Sequence, residues 1–210
     1  MTRLVALEVG GDPAPWISLG LPFADGRGLI SDVEILFVDG APGIRGWVFS
    51  GDSDFSTAID GIPTRVVASP PSHATVSTFG VSRAVGLDHV VVNTDDSPRT
   101  CASVEAVLGI PVRRVRNLPG GATQTFHKAD NIVLEVVAGP QVRVEGSSLW
   151  GMVASIEDLD ALAASLGGDV VSPPKDAVQP GRRIATVRES AGLGVPFALM
   201  SPHVRASASD

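Results

Sequence analysis

The chain has 210 residues, of which 44% are hydrophobic and 19% charged, enough apolar material for one large domain or two small ones. Its formal net charge of −7 gives no electrostatic reason to expect nucleic acid or an anionic membrane surface as a partner, and its single cysteine, Cys101, excludes an intramolecular disulfide. Because no apolar run reaches the roughly 18 residues of a membrane span and Glu8 soon interrupts the N-terminal one, a cytoplasmic protein is expected.

Residues 1–66 predict a short module that resembles a β-α-β-β-β unit. The run LVALEV is expected to form a strand, APWISLG a brief helix, and GRGLIS, VEILFV and IRGWVFS three further strands. From about Asp52 onward the composition shifts towards Pro, Ser, Thr and Ala. Residues 67–85, which include ASPPSHATVS, are therefore predicted to be a linker that runs over the surface.

Residues 86–204 predict the β-α-β-β-β pattern twice. The first copy has the strand LDHVVV, a helix from about Ser97 to Leu108, and the strands PVRRVR, ATQTFHK and NIVLEVV. The second copy has the strand LWGMVASI, a helix from about Glu157 to Leu166, and the strands DVVSP, GRRIATVRES and VPFALMS. The fold class is thus predicted to be α+β with tandem modules, and residues 205–210 are predicted to be a mobile tail.

Local signals support both helices. Ser97 followed by Pro98 suits a helix N-cap and first helical position, and Ser155 with Asp158 has the form of a capping box. The second helix carries an apolar stripe at helical spacing, formed by Leu159, Leu162, Ala163 and Leu166. Both helices are therefore expected to cover the outer face of their strands.

Two polar residues, His89 and Glu135, lie in the middle of strands that otherwise look buried. Because side chains alternate between the faces of a strand, Asp88 is expected to point away from His89. A carboxylate inside a strand is costly to bury alone, so Glu135 should face a wet cavity or have a partner. If the first and last strands of the module pair, both residues project from one concave surface. The alternatives are a hydrogen-bonded core histidine and a glutamate that is exposed or ion-paired to an arginine of PVRRVR.

The tandem units, the LDHVVV opening, the EDLDALAASLGG helix and the VLEVV ending resemble the vicinal oxygen chelate superfamily, which includes glyoxalases, bleomycin-resistance proteins and extradiol dioxygenases. More narrowly, LWGMVASIEDLDAL and KDAVQPGRRIATVRESAGLGVPFALMSP resemble bacterial glyoxalase-like domain proteins. The resemblance covers about residues 85–203 and implies that paired modules curl into a bowl-shaped mixed sheet. It also implies a divalent metal (Zn, Fe, Mn or Ni) in the bowl, with His89 and Glu135 as catalytic residues and as the ligands from one module.

The second module departs from the family pattern. Gly151 stands where its first strand would offer a ligand, and Ala198 and Leu199 stand where a glutamate is expected. Two of the four ligands are thus missing, and His89 and Glu135 alone would hold a metal weakly.

A third ligand could come from Gln124, from His127, from the N-terminal segment or from a partner subunit. Strand alternation puts Gln124 and His127 on opposite faces, so neither is assigned as a ligand. Without a metal, a histidine hydrogen-bonded to a carboxylate is a fixed general base.

The segment DAVQPGRR adds donors that suit a carboxylate or phosphate. Because adjacent strand residues point to opposite faces, at most one of Arg182 and Arg183 should enter the bowl, and both could instead be edge charges. The residues predicted to bind substrate are Gln124, Trp150, Gln179 and Arg183.

The function predicted is that of a glyoxalase-like small-molecule enzyme, a lyase, isomerase or hydrolase with an eroded metal site. The alternative is a non-catalytic protein that sequesters a small molecule, as bleomycin-resistance proteins do. A third possibility is a vestigial bowl whose sheet edges serve assembly. The expected partners are a small-molecule ligand or substrate, with a homodimer as a further option and no nucleic acid or membrane.

Overall fold

The structure, a computed structural model, describes residues 2–73 and 77–203 and contains two mixed β-sheets. The N-terminal sheet has the strands β1 (Leu4–Gly10), β2 (Phe23–Ala24), β3 (Arg27–Ile30), β4 (Val33–Val38), β5 (Gly43–Ser50), β6 (Phe55–Ile59) and β7 (Ile62–Val67). Their order across the sheet is β2-β3-β4-β1-β5-β7-β6, and helix α1 (Ala14–Leu19) follows β1. β1 lies parallel to β4 and antiparallel to β5, so the sheet is mixed.

The C-terminal sheet has β8 (Ser77–Phe79), β9 (Ser82–Thr94), β10 (Val112–Asn117), β11 (Thr123–Lys128), β12 (Val133–Ala138), β13 (Ser147–Ile156), β14 (Lys175–Asp176), β15 (Arg183–Thr186) and β16 (Phe197–Met200). Its order is β10-β11-β12-β9-β13-β16-β15-β14, with β8 paired to β9. Helix α2 (Ser97–Leu108) follows β9, and helix α3 (Leu159–Leu166) follows β13. This is the predicted pair of β-α-β-β-β modules, which confirms the α+β fold class.

Three details of the C-terminal half differ from the sequence prediction. Asp96 rather than Ser97 caps α2, and Asp158 caps α3, because each aspartate accepts a hydrogen bond from the backbone N–H three residues later. The predicted strand DVVSP is reduced to one bridge between Val171 and Val187. Pro173 at the end of that segment and Pro174 after it cannot donate to a ladder, so pairing resumes only at β14.

The N-terminal half is more complete than the short module predicted for residues 1–66. A full β-α-β-β-β unit already ends at β4, and β5, β6 and β7 form a second unit without a helix. The predicted linker 67–85 contains β8 and the start of β9, so the first strand of the next module begins at Ser82. The whole of the predicted mobile tail, residues 205–210, and its neighbour 204 lie outside the described residues.

The two halves share one hydrophobic core. Trp16 of α1 packs against Phe197 of β16 at a ring distance of 5.3 Å, and its Nε1 donates to the Leu193 carbonyl. Asn131 makes two hydrogen bonds of 2.9 Å with the backbone of Leu4. Because the helices and the N-terminal sheet cover one face of the C-terminal sheet, its other face is left as an open bowl.

No helix in the described part of the chain is long and apolar enough to cross a membrane.

Candidate functional site

The concave face of the C-terminal sheet forms a cavity of about 1990 Å³. The strands of its first half, β9 to β12, supply His89, Glu135 and Gln124, and the facing strands β13 and β16 supply mainly apolar side chains such as Val153 and Met200. His89 and Glu135, the predicted catalytic pair, therefore lie on one side of the bowl.

A bulge in β9 turns both Asp88 and His89 towards the cavity. His89 pairs with Val153 of β13 and Leu87 with the next residue, Ala154, so Asp88 has no partner in the ladder. His89 Nδ1 lies 2.9 Å from Asp88 Oδ1, and both side chains are largely buried. The expectation that Asp88 points away from His89 was therefore wrong, because strict alternation fails at a bulge.

Glu135 and Gln124 complete the polar side of the bowl. Gln124 Nε2 of β11 donates a hydrogen bond of 2.6 Å to Glu135 Oε1 of β12. The other carboxylate oxygen, Oε2, lies 3.6 Å from His89 Nε2, within ion-pair range but longer than a hydrogen bond. Burial raises the pKa of Glu135, although the charges of His89 and Arg116 and the bond from Gln124 oppose this shift.

A buried guanidinium holds Asp88 from the other half of the bowl. Arg182 is 2% exposed, and its Nη2 lies 2.5 Å from Asp88 Oδ2. Its Nε donates to the Ser201 carbonyl at 2.8 Å, while Nη1 contacts Gln179 Oε1 and lies 3.2 Å from His203 Nε2. The guanidinium is thus fixed in position by neighbours on the rim.

Asp88 is ionised across the ordinary pH range. Its burial would raise the pKa, but the hydrogen bonds and charges of His89 and Arg182 outweigh burial and lower the pKa to about 2. Because an ionised carboxylate only accepts hydrogen bonds, His89 donates its Nδ1–H to Asp88, and its Nε2 faces the bowl.

Arg183 does not reach the bowl, contrary to the sequence prediction. It contacts Asp160 of α3 on the opposite face of the sheet and donates to the Pro174 carbonyl at 2.9 Å. Arg182 rather than Arg183 lies on the bowl side, where it is buried beneath the cavity against Asp88. The sequence GRRIATV does not predict which arginine faces the bowl, because a short strand can present either Arg182 or Arg183 to that face.

The other predicted site residues are Gln179, Trp150 and His127. Gln179 lines the cavity rim and contacts Arg182, and Trp150 lines the second half with 52% of its surface exposed. His127 is fully buried, and its Nδ1 lies 2.8 Å from the Ile110 carbonyl. It therefore serves the core rather than the cavity chemistry.

The second module has no room for a ligand where the first has His89. His89 lies seven residues before the α2 N-cap Asp96, and Gly151 lies seven residues before the α3 N-cap Asp158. A Cβ atom at Gly151 would lie 2.6 Å from the Pro196 carbonyl oxygen. No side chain fits there unless the backbone moves.

The glutamate position of the second module is apolar as well. Glu135 stands beside Val91 in the β9–β12 pair, and Ala198 stands beside Val153 at the corresponding place in the β13–β16 pair. Residues 2–73 and 77–203 contain no group of three or more His, Cys, Asp or Glu side chains that could hold a metal ion. These residues do not fit a catalytic metal with three protein ligands.

Comparisons with known proteins support the fold. Methylmalonyl-CoA epimerase from Mycobacterium tuberculosis is 18% identical with a TM-score of 0.50, and the match covers 63% of this chain and 97% of the epimerase. A variant of 4-hydroxymandelate synthase from Streptomyces coelicolor is 12% identical with a TM-score of 0.67, and the match covers 97% of this chain and 94% of the synthase. Both belong to the vicinal oxygen chelate superfamily, so the chain has the fold predicted from the sequence. No family model and no curated protein matches the chain.

Proposed function

We propose that the C-terminal bowl is the active site of a glyoxalase-like enzyme that moves protons on a small molecule, as an isomerase, lyase or hydrolase does. One observation carries the proposal: His89 is held at Nδ1 by the ionised Asp88, while its Nε2 faces an open cavity beside Glu135. A neutral imidazole oriented in this way is a general base near neutral pH.

Each residue has a distinct part in this mechanism. His89 Nε2 takes a proton from the substrate or from a water, and Asp88 stabilises the imidazolium that forms. Arg182 keeps Asp88 ionised, so the proton stays on the imidazole. Glu135, whose pKa is raised by burial, is suited to deliver a proton to a second substrate atom. Gln124 holds that carboxyl group in place.

The test is deuterium exchange at carbon, followed by NMR in D₂O. The panel contains the hemithioacetal of methylglyoxal and glutathione, a 2-oxo acid and a simple thioester. His89→Gln should reduce exchange or turnover about 10²- to 10⁴-fold. His73→Gln, the same change at a histidine paired with Glu34 in the N-terminal half, should leave the rate unchanged. Equal rates in both variants would contradict the proposal.

In the described part of the chain, His89 and Glu135 belong to no group of three or more side chains that could hold a divalent metal (Zn, Fe, Mn or Ni), so no step is assigned to one. Metal analysis of protein purified without chelator, run beside Glu135→Ala, checks this assignment. About one metal per chain that is lost in the variant would favour the predicted metal enzyme over direct acid–base chemistry.

A second function is supported by the apolar half of the bowl. Val153, Ala198 and Met200 line a wall that could hold a hydrophobic compound without reacting with it. Such a sequestering protein would bind its ligand equally well after His89→Gln and would show no turnover. A homodimer and a cytoplasmic location remain predictions, which light scattering and cell fractionation would check.

A further inference from the structure

A row of basic side chains lines the polar half of the bowl. Arg114 stands opposite Phe126 and Arg116 opposite Gln124 in the β10–β11 pair. Gln124 and Phe126 line the cavity, as do both arginines and Lys128 at the end of β11. Alternate residues of a strand share a face, so these three cations lie on the cavity side of the sheet.

These cations have no ion-pair partner in the part of the chain that the structure describes. The described arginines that do form ion pairs are Arg3, Arg27, Arg65, Arg83, Arg99, Arg182 and Arg183. Arg116 exerts only a charge effect on Glu135. In a chain of net charge −7, three cations left together in one cavity create a local positive field.

The wall across the cavity is apolar. Trp150 keeps 52% of its surface exposed there, and Val153, Ala198 and Met200 also line it. An exposed tryptophan offers a flat surface on which an apolar body can stack. The polar residues around His89 lie on the strands between the basic row and this wall.

We infer that the bowl binds a small organic anion, with its carboxylate or phosphate group on Arg114, Arg116 and Lys128 and its apolar body against Trp150. This inference rests on the proposed function only in using the same bowl, because binding needs no turnover. The competing explanation is that the arginines only guard β10, the edge strand of the sheet, against pairing with other chains.

The test compares three probes with one body: 4-phenylbutanoate, 4-phenylbutyl phosphate and the neutral 4-phenylbutan-1-ol. Calorimetric titration of the full chain should show at least one anion bound about tenfold or more tightly than the alcohol, with the difference reduced by salt. Whichever anion binds better identifies the head group. Equal affinity for all three probes would overturn the inference.

Variants then locate the anion. Arg114→Gln and Arg116→Gln should each weaken anion binding about tenfold and leave the alcohol unaffected. Arg45→Gln, the same change at an exposed arginine of the N-terminal sheet, is the matched control and should bind like wild type. Trp150→Ala should weaken all three probes alike. If Arg114→Gln and Arg116→Gln lose no more anion affinity than the control Arg45→Gln, the edge-guarding explanation is the correct one.

The two proposals fail separately. His89→Gln should bind the anion as wild type does, even though it should lose turnover. Arginine-dependent binding in a protein without turnover would uphold the anion site and reject the enzyme. Turnover by a protein that binds the charged and neutral probes equally well would support the enzyme and reject the anion site.

Discussion

Both sheets of this protein share the β-α-β-β-β module. They differ in the side chains that lie on the face carrying Ala6 in the N-terminal sheet and His89 in the C-terminal sheet. Ala6 lies seven residues before the α1 N-cap Pro13, as His89 lies before Asp96. Ala6 stands beside Glu34 in the β1–β4 pair, and His89 stands beside Val133 in the β9–β12 pair.

The same registers place Leu36 in the N-terminal sheet where the C-terminal sheet has Glu135. Two apolar residues thus occupy the positions that carry the candidate chemistry in the other sheet. The shared fold does not decide function, which depends on a few side chains.

Ion pairs cover this face of the N-terminal sheet. Arg65 pairs with Glu8 at 2.9 Å, and Glu34 pairs with Arg27 and His73. In the C-terminal sheet the fully buried cation, Arg182, instead supports the Asp88–His89 pair beneath an open cavity. Charged pairs thus close this face of the N-terminal sheet and orient a reactive group on the same face of the C-terminal sheet. Variants in both sheets test this difference.

Arg182→Met should remove the central cation of the C-terminal site. It leaves Asp88 buried without its partner, which should lower the free energy of unfolding by about 3–5 kcal/mol. Arg65→Met, which breaks a half-exposed pair in the N-terminal sheet, should cost less than about 1 kcal/mol. Urea unfolding measures both. If Arg182→Met does not fold, the double variant Asp88→Leu with Arg182→Met should recover stability. Equal losses of unfolding free energy in Arg182→Met and Arg65→Met would contradict the proposed difference between the two sheets.

Gly151→Ala should test the closed ligand position of the second module. Its Cβ would meet the Pro196 carbonyl at 2.6 Å, so the free energy of unfolding should fall by up to about 3 kcal/mol. Gly168→Ala, where a Cβ would meet nothing within 4 Å, should be neutral within about 0.5 kcal/mol. A neutral result at Gly151 would mean that the second module can accept a side chain there.

Asp88 should make the stability of the protein depend on acid. Its pKa is about 2 in the folded protein against 3.8 for an unperturbed aspartate, so its contribution is present above pH 4 and is lost as the pH falls towards 2. The shift corresponds to about 2 kcal/mol. The stability difference between wild type and Asp88→Asn, measured by urea unfolding at pH 6, 4 and 2.5, should shrink with acidity. A difference that stays constant would show that the carboxylate is not perturbed.

Arg183→Gln should have the smallest effect. Its pair with Asp160 is solvent-exposed, so the free energy of unfolding should change by less than about 1 kcal/mol, and binding in the bowl should not change. Calorimetric titration with the phenylbutyl anions beside the unfolding curve checks both points. Weaker binding of the anions in this variant would show that Arg183 contributes to the ligand site.

Much of the fold was predictable because its signals are local. The spacing of Leu159, Leu162 and Leu166 predicted α3, and the apolar runs predicted most strands. The helix-less second unit of the N-terminal half was missed, although Asp60-Gly61 between β6 and β7 is a hairpin signal in which both residues have positive φ. Its polar, exposed β6 looked like part of a connector.

Strand periodicity depends only on neighbours along the chain, so it was enough to predict the repeated modules and to put His89, Glu135 and Gln124 on strands of one module. The contact of Asp88 with His89, and the burial of Arg182 rather than Arg183 against Asp88, could be seen only in the folded chain. Both outcomes depend on how β9, β13 and β15 align with one another, and this register is set by contacts between residues far apart in the chain.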